Sequence, residues 1–409
     1  MSRSKQNQTE STKRVERVME TCHSPPGSTR GGQSVGVFIL LWWLGCVGVN
    51  SSAASASSVG GDPLFDSPEV LNLGISISSQ NIESLKTEPR RAVSATVTEN
   101  GKTYTNVVLH LKGLGSFRPI TEKPSFSIRF DRHGACLRGH SRILLENSTQ
   151  DAAFLRRKLT SEIFLKAGIP AARVTHATVQ LNGRKLGLYT LSEAMNRAFL
   201  ARHFRSNSGN LYEGSDEDIS GHLEQDAGAN SGDPGGIQTL IAACQEPNLT
   251  RRWDLLQSRL DMDRFLSFMA LEVLICHHDG YSMDLNNYRL YDDPTTGRVV
   301  FIPHGMDLVF NRPSIPLEPA WKGLVAQAVM ETPQGKERYR ARIAQLARST
   351  YGGGALLQRI DDLASFPRPD PLAQSRSERE EFENAIATLK ASIQRRADFV
   401  FSQVTVPSQ

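Results

Sequence analysis

Residues 260–310 read LDMDRFLSFMALEVLICHHDGYSMDLNNYRLYDDPTTGRVVFIPHGMDLVF, and this stretch sets the expected architecture. Its first part carries apolar side chains at helical spacing from Asp261 or Asp263 to Cys276, which predicts a helix. A polar cluster follows, and two apolar runs then flank residues 292–297, which predicts a β-hairpin. The chain should therefore run from a helix through a polar loop into a hairpin.

The polar cluster contains the side chains best suited to chemistry: Asp279, Asn286, Asn287 and Asp307. A hairpin returns its ends to neighbouring positions, so these groups can converge. Their oxygens suit Mg²⁺ or Mn²⁺, and phosphoryl transfer needs such ions with an Asp and a Lys. Asp, Asn and Gly are equally typical of turns. Asp307 stands out because a carboxylate among apolar residues is costly unless it is paired or metal-bound.

The adjacent histidines His277 and His278 suggest a different site. With Asp279 or Asp307 they would form a transition-metal centre, typical of a metal-dependent hydrolase. Neighbouring side chains on a strand or helix point apart, however, so hydrogen-bonded structural roles are the alternative. The sequence contains no HExxH, GxSxG, Walker or GxGxxG motif, which disfavours those enzyme classes.

Upstream of this stretch the pattern is mostly strand-like. Residues 64–130 alternate in polarity, and Asn-Gly pairs at 100–101 and 182–183 predict two hairpins with type I′ turns. Between the hairpins, residues 151–167 predict a helix capped by Asp151. Sheet, helix and more sheet together predict an α+β fold.

The remaining organisation follows from composition. Residues 206–236 are rich in Gly, Ser, Asp and Asn without periodicity, which predicts a long surface insert or lid. Residues 335–409 have helical patterns throughout. We therefore predict a short linker at 57–63, a β-rich lobe at 64–195 and a C-terminal lobe at 196–409.

A leader is predicted over residues 1–56. The apolar run 35–49 follows a basic stretch and precedes small residues, which is the layout of a secretory signal peptide. It is shorter than the roughly 20 residues that span a bilayer. Secretion or export to the periplasm or cell envelope is expected, without stable membrane insertion after cleavage. A retained helical anchor or lipidation at Cys46 is the alternative.

Charge and cysteine content exclude several classes of protein. The whole chain has a net charge of +4, but beyond the leader 41 basic residues face 40 acidic ones. Without a Lys/Arg run, nucleic acid is not an expected partner. Three cysteines remain beyond the leader, at 136, 244 and 276, so a disulfide scaffold and a structural zinc site are not expected.

Two upstream elements could serve a nucleotide. Gly113 and Gly115 allow a turn whose backbone approaches phosphates, and Lys123 precedes a strand. Glu193 ends a strand and could connect two lobes. A plain turn and a solvated lysine are the alternative interpretation of these residues.

Together these segments resemble the spore-coat protein H (CotH) kinase family of secreted atypical kinases. The likeness runs over about 64–312 and includes LKGLGSF at 111–117, LRRKLTSEIFLKAGIPAARV at 155–174 and the stretch quoted first. It implies a divergent two-lobed protein-kinase-like fold, mainly β in the N-terminal lobe and mainly α in the C-terminal lobe. It also implies transfer of phosphate from ATP, with Mg²⁺ or Mn²⁺, to Ser or Thr of an exported or cell-surface protein.

The resemblance assigns roles by position. Asp279 matches the family's catalytic Asp, Asn286 or Asn287 its metal-binding amide, and Asp307 its magnesium-holding Asp. Lys123 is the candidate for the phosphate-binding lysine. Its candidate ion-pair partner is Glu162, on position alone.

The chain departs from the family pattern in two segments. The family's usual R-G-N-S segment is KGLGS at residues 112–116, which blurs the expected phosphate loop. The family has I-P-W-D-x-D, whereas residues 302–307 are IPHGMD, so Gly305 replaces one acid. His304 or Asp284 could compensate for the missing carboxylate. The alternative is a catalytically silent member that acts as a binding or coat-assembly protein.

Overall fold

The computed structural model describes residues 62–67, 69–130, 135–214, 216–228, 235–365 and 376–404. The predicted leader at 1–56 and most of the predicted linker lie outside these residues. The described chain is a mixture of helices and strands, which confirms the predicted α+β class at that level. No helix in these ranges is both long enough and apolar enough to cross a membrane.

The N-terminal strands close into a seven-stranded barrel, which the sequence did not predict. They are β1 (Leu71–Ser76), β2 (Val93–Glu99), β3 (Lys102–Lys112), β4 (Ser125–Arg129), β5 (Arg142–Glu146), β6 (Val174–Leu181) and β7 (Arg184–Glu193). Their order is β1-β2-β3-β4-β5-β7-β6, and parallel pairing of β1 with β6 closes the barrel. Interior side chains such as Val97, Leu109 and Phe126 are fully buried.

Both predicted Asn-Gly hairpin turns are confirmed. Asn100 and Gly101 have φ values of 47° and 84°, and Asn182 and Gly183 have 47° and 81°, as type I′ turns require. Asn182 also fixes the closing strand pair, because its side chain accepts from Ile77 N at 2.8 Å and donates to Ile77 O at 2.9 Å.

The rest of the chain builds a four-stranded antiparallel sheet and most of the helices. The sheet contains β8 (Asn210–Gly214), β9 (Glu224–Ala227), β10 (Tyr288–Asp293) and β11 (Arg298–Pro303) in the order β11-β10-β8-β9. The helices are α1 (Ser79–Thr87), α2 (Arg156–Lys166), α3 (Arg197–His203), α4 (Gly235–Cys244), α5 (Leu249–Arg259), α6 (Met262–Leu274), α7 (Tyr281–Asp284), α8 (Leu324–Glu331), α9 (Pro333–Tyr351), α10 (Ala355–Ser365) and α11 (Arg376–Val404). The predicted 260–310 helix and hairpin are therefore confirmed as α6 and β10–β11.

Two predicted segments differ from the structure. The helix predicted over 151–167 begins only at Arg156, because Phe154 has a left-handed φ of 56° that interrupts a helical path. Asp151 still binds the start of the helix, accepting from Arg156 N at 2.8 Å. The segment 206–236, predicted as an irregular insert, contributes β8 and β9 to the sheet, and Leu211 within it is fully buried.

Helix α11 is tied to the end of α6 by a buried arginine. Arg396 is fully buried and donates to Val273 O at 2.7 Å, Leu274 O at 3.2 Å and Pro313 O at 2.9 Å. The guanidinium thus adds donors to carbonyl groups at the end of α6, where Cys276 N also donates to Val273 O and Tyr351 Oη to Leu274 O. The loop that carries Asp279 begins directly after this contact.

We expect Arg396→Met to lower the free energy of unfolding by about 3 kcal/mol or more, because several buried carbonyls lose a charged donor. Arg395→Met is the matched control, since Arg395 is exposed on the same helix and should change the free energy by less than about 0.5 kcal/mol. Urea unfolding followed by circular dichroism measures both. Equal effects of the two substitutions would contradict this account of α11.

Candidate active site

The barrel ends in a buried ion pair on its outer face. Lys112 is the last residue of β3 and Glu146 the last of β5, and Lys112 Nζ contacts Glu146 Oε1. Burial would raise the pKa of Glu146, but the cations of Lys112 and Arg157 lower it below its ordinary value. Glu146 is therefore an ionised carboxylate held between two cations.

A second ion pair joins this position to the segment after β11. Arg157 Nη2 lies 3.3 Å from Asp307 Oδ2, and the two side chains are only 15% and 13% exposed. Lys112–Glu146 and Arg157–Asp307 are thus two ion pairs, and the opposite charges of Glu146 and Arg157 attract each other between them. We call these four residues the ion-pair chain. It links the barrel and helix α2 to the segment that follows the hairpin.

The neighbouring arginine strengthens the same junction. Arg156 Nη1 donates to Asp151 Oδ1 at 2.8 Å, and its Nε donates to Val309 O at 3.1 Å. The first two residues of α2 therefore both bind the 307–311 segment. This arrangement holds Asp307 at a defined place relative to the barrel.

The loop that carries Asp279 is held by amide side chains. Asn287 Nδ2 donates to Asp279 O at 2.7 Å and to Asp279 Oδ2 at 2.8 Å, while Asn286 Nδ2 lies 3.4 Å from Asp279 Oδ1. The structure therefore brings together three of the four residues that the sequence placed in one polar cluster.

A buried glutamate on helix α6 holds the end of this loop. Glu272 accepts from Tyr281 N at 2.9 Å and from Ser282 N at 3.1 Å, at the start of the short helix α7. Burial raises the pKa of Glu272 to about 8. His277 is also fully buried, with its Nδ1 3.8 Å from Glu272 Oε1, and burial lowers the pKa of its imidazole to about 3.

Gly305 brings Asn287 and Asp307 into one neighbourhood. It has a φ of +57°, and a Cβ atom built on it would lie 1.8 Å from Asn287 Oδ1. Asp307 N donates to Gly305 O at 3.0 Å, and His304 N donates to Asn287 O at 2.9 Å. Because Gly305 has no side chain, Asn287 Oδ1 can lie against its backbone. An acidic residue at position 305 would have to displace Asn287.

The oxygen donors fit a divalent cation that arrives with a phosphate ligand. Asp307, Asp279 and the amide oxygens of Asn286 and Asn287 are hard donors, and Mg²⁺ commonly uses one or two carboxylates with substrate phosphates. Among the described residues, no three His, Cys, Asp or Glu side chains are disposed around one metal position. The alternative centre built on His277 and His278 is therefore not assembled in this part of the chain.

A narrow cleft lies between the barrel and the second sheet, and we call it the interface cleft. One wall is apolar and is formed by Leu144, Ala172, Val174 and Met195. The opposite side is polar and includes Glu146, Arg157, Glu193, Arg289 and His304. An apolar wall beside several cations suits the chemistry of a planar base and its phosphates, but the free volume of the cleft is about 30 Å³, so the cleft would have to open to receive them.

The cations of the interface cleft have carboxylate partners. Arg289 Nη2 lies 2.8 Å from Glu213 Oε2, and its Nη1 contacts Asp226. Burial and the charge of Arg289 hold the pKa of His304 well below its ordinary range, so this imidazole is neutral. Asp284 lies instead at the surface, where it contacts Lys322.

Two predicted site residues do not pair with each other. Lys123 Nζ lies 5.0 Å from the ring centre of Phe154 and 5.1 Å from that of Tyr189, and burial lowers the pKa of Lys123 to about 8. Glu162 instead binds Arg359, with two contacts of 2.8 Å. The predicted Lys123–Glu162 ion pair is therefore wrong, because Arg359 from α10 takes the carboxylate.

The predicted glycine turn lies next to the ion-pair chain. Gly113 directly follows Lys112 and has a φ of 99°. Gly115 lies in the same turn, and a Cβ atom built on it would lie 3.6 Å from Gln150 Nε2. Leu114 between them is 73% exposed. The turn therefore extends an unusually exposed apolar side chain beside the end of β3.

Glu193 connects the barrel to the chain that follows. It ends β7, and its carboxylate binds Arg173 at 2.9 Å and also contacts Arg202. Both of its oxygens are thus used in ion pairs at the edge of the interface cleft.

Sequence reasoning missed three of the four members of the ion-pair chain. The sequence does contain a signal for Lys112, because this residue stands directly before Gly113 and on the face of β3 opposite the buried Leu109 and Leu111. Glu146 and Arg157 had none, because charge patterns do not reveal partners that are distant along the chain.

Comparisons with known proteins give a consistent family. A family model described as CotH kinase protein matches residues 109–400. The chain is 22% identical over 333 residues to Invasin CotH2 of Rhizopus delemar, which covers 71% of this chain and 55% of that protein. It is 24% identical over 207 residues to Inner spore coat protein H of Bacillus subtilis, covering 47% and 56% respectively. The chain spans about half the length of these curated relatives.

Solved structures give weaker likenesses. The complex of the Shewanella oneidensis MR-1 toxin–antitoxin proteins HipA and HipB with operator DNA matches with a TM-score of 0.35 and 12% identity. The match covers 82% of this chain and 74% of that one. A score at this level does not establish a shared fold.

The buried Glu272 predicts a pH effect on stability. The pKa of its carboxyl is about 8 in the folded protein against an ordinary value of 4.5, so between these values the folded chain keeps a proton that the unfolded chain has released. The contribution of Glu272 to the free energy of unfolding should therefore fall as the pH rises from 5 to 8, by up to about 1.4 kcal/mol per pH unit.

Glu272→Gln removes this titration while keeping a similar shape. Urea unfolding of both proteins at several pH values between 5 and 8 should give a difference in unfolding free energy that changes steadily in favour of the variant as the pH rises. A difference that is constant across this range would refute the assignment.

Proposed function

Because this chain belongs to the CotH kinase protein family, we propose that it is an ATP-dependent kinase that phosphorylates Ser or Thr hydroxyls of exported or cell-surface proteins. The observation that carries the proposal is the ion-pair chain beside the apolar wall of the interface cleft. We further propose that the barrel and the helical part act as the two lobes of a divergent kinase-like fold, with the nucleotide between them.

The cleft supports this role by its division into apolar and charged sides. Leu144, Val174 and Met195 would contact the adenine, since a planar base needs an apolar surface. Lys112 would contact the phosphates, because it ends a barrel strand, is paired with a carboxylate and precedes the glycine turn. This assignment favours Lys112 over the sequence-based candidate Lys123.

The catalytic groups would act from the opposite side. Asp307 and Asn287, with Asn286 as the alternative amide, would hold Mg²⁺ or Mn²⁺, which neutralises phosphate charge when bound. Asp279 would orient the acceptor hydroxyl and accept its proton. The amide contacts from Asn286 and Asn287 keep the Asp279 carboxylate oriented in the protein without nucleotide.

The acceptor and compartment rest on less direct support. The leader predicted over 1–56 favours export, and the matched relatives are named as an invasin and an inner spore coat protein. An exported protein, or one at the cell surface, is therefore the acceptor class that we propose.

A catalytically silent binding or coat-assembly protein is the second candidate. Two observations favour it: Gly305 has no room for an acidic side chain, and Asp307 is already paired with Arg157. Such a protein would bind nucleotide without transferring phosphate.

We expect Asp279→Asn and Asp307→Asn each to lower phosphate transfer from radiolabelled ATP by at least about 100-fold, because each removes a charged group from the reaction. Asp263→Asn is the matched control, since Asp263 is an exposed helix residue that pairs only with Arg338 among the described contacts. Autophosphorylation and casein-like acceptors, with Mg²⁺ or Mn²⁺, provide the readout.

Full activity in a folded Asp307→Asn protein would disprove the metal-holding role. Absence of transfer in the natural protein, together with a melting temperature raised by ATP, would favour the silent alternative.

The two lysines can be separated directly. Lys112→Met should lower transfer by at least about 100-fold, because it removes the cation assigned to the phosphates and leaves the cleft residue Glu146 without its closest partner. Lys123→Met should have less than about a tenfold effect, since Lys123 packs over aromatic rings. The opposite ranking, in variants that melt like the natural protein, would return the phosphate role to Lys123.

A further inference from the structure

The carboxylate assigned to the metal already has a cation beside it. Arg157 Nη2 lies 3.3 Å from Asp307 Oδ2, and both side chains are largely buried. Burial alone would lower the pKa of Arg157, but the carboxylates of Asp307 and Glu146 raise it above its ordinary value. The guanidinium is therefore a permanent charge at the position where a metal ion would approach Asp307.

The other carboxylates around the interface cleft are also compensated. Glu146 contacts Lys112, and Glu213 and Asp226 both contact Arg289. A divalent cation that approached Asp307 alone would thus lie next to the Arg157 guanidinium, and of the carboxylates assigned to the site only Asp279, which is held by amide groups, has no cation beside it among the described contacts. Repulsion between like charges is strong in a partly desolvated site, so this entry is unfavourable.

A nucleotide changes this balance. Arg157 lines the interface cleft together with Glu146 and His304, so its guanidinium can turn towards phosphate oxygens without leaving the site. Guanidinium and phosphate form strong charge-assisted hydrogen bonds. Once the phosphates receive Arg157, Asp307 is released for the metal.

Building on the proposed function, we propose that Arg157 makes metal binding conditional on nucleotide. Its guanidinium competes with the divalent cation for Asp307, so the cation enters together with a nucleotide and binds poorly alone. Arg157 is in this sense a positioning residue that sets the order of assembly of the site.

The chain contains a matched control one residue away. Arg156 lies in the same turn of α2 and is also ion-paired, but its partners are Asp151 and Val309 O rather than Asp307. Loss of Arg156 should therefore weaken the same junction without exposing the carboxylate assigned to the metal.

The test measures binding of Mn²⁺ to the full chain by electron paramagnetic resonance, with and without a non-hydrolysable ATP analogue. The natural protein should bind Mn²⁺ about tenfold or more weakly without the analogue than with it. Arg157→Met should bind Mn²⁺ alone about tenfold more tightly than the natural protein does. Arg156→Met should show no such gain, and adding Asp307→Asn to Arg157→Met should abolish it.

Equal Mn²⁺ affinity of the natural protein and Arg157→Met, without nucleotide, would overturn the proposal. Arg157→Gln, which removes the charge but keeps hydrogen-bonding groups, gives the same comparison if Arg157→Met unfolds. The kinase proposal fails separately: absence of phosphate transfer with the Mn²⁺ differences intact would refute catalysis and support the competition. Phosphate transfer by a natural protein that binds Mn²⁺ equally well with and without the analogue would support catalysis and refute the competition.

Discussion

Arg157 and Asp307 meet where the barrel, helix α2 and the segment after β11 come together, and the rest of the site depends on this contact. The two residues are 150 positions apart, and breaking a buried pair leaves an uncompensated charge. Lys112 and Glu146 continue the ion-pair chain onto the barrel. The same four side chains therefore join the parts of the fold, and two of them, Glu146 and Arg157, line the interface cleft.

Two further buried residues position the loop that carries Asp279. Glu272 binds the first amides of α7, and Arg396 binds the last carbonyls of α6, so the loop that carries Asp279 is held at both ends. Both supporting residues are fully buried and lie outside the cleft. Two buried polar side chains thus orient one loop, which is typical of a functional site.

Local sequence patterns predicted much of this arrangement, but they did not predict the pairings between residues that are distant along the chain. The Asn-Gly turns and the 260–310 helix and hairpin follow from short-range patterns, as does the contact of Asp279 with Asn286 and Asn287. Closure of the barrel depends on β1 meeting β6, which no local pattern encodes. Strand β8 was hidden because pairing with β10, rather than its own Gly-rich and polar composition, makes it a strand.

The central claim is that the nucleotide lies in the interface cleft between Lys112 and Asp307. A crystal structure with a non-hydrolysable ATP analogue and Mn²⁺, using the anomalous signal of manganese, tests it most directly. The account predicts phosphates at Lys112, a manganese peak within coordination distance of Asp307 and an Arg157 guanidinium turned away from that carboxylate. Nucleotide bound elsewhere, or manganese at Asp307 with the Arg157 ion pair still formed, would contradict it.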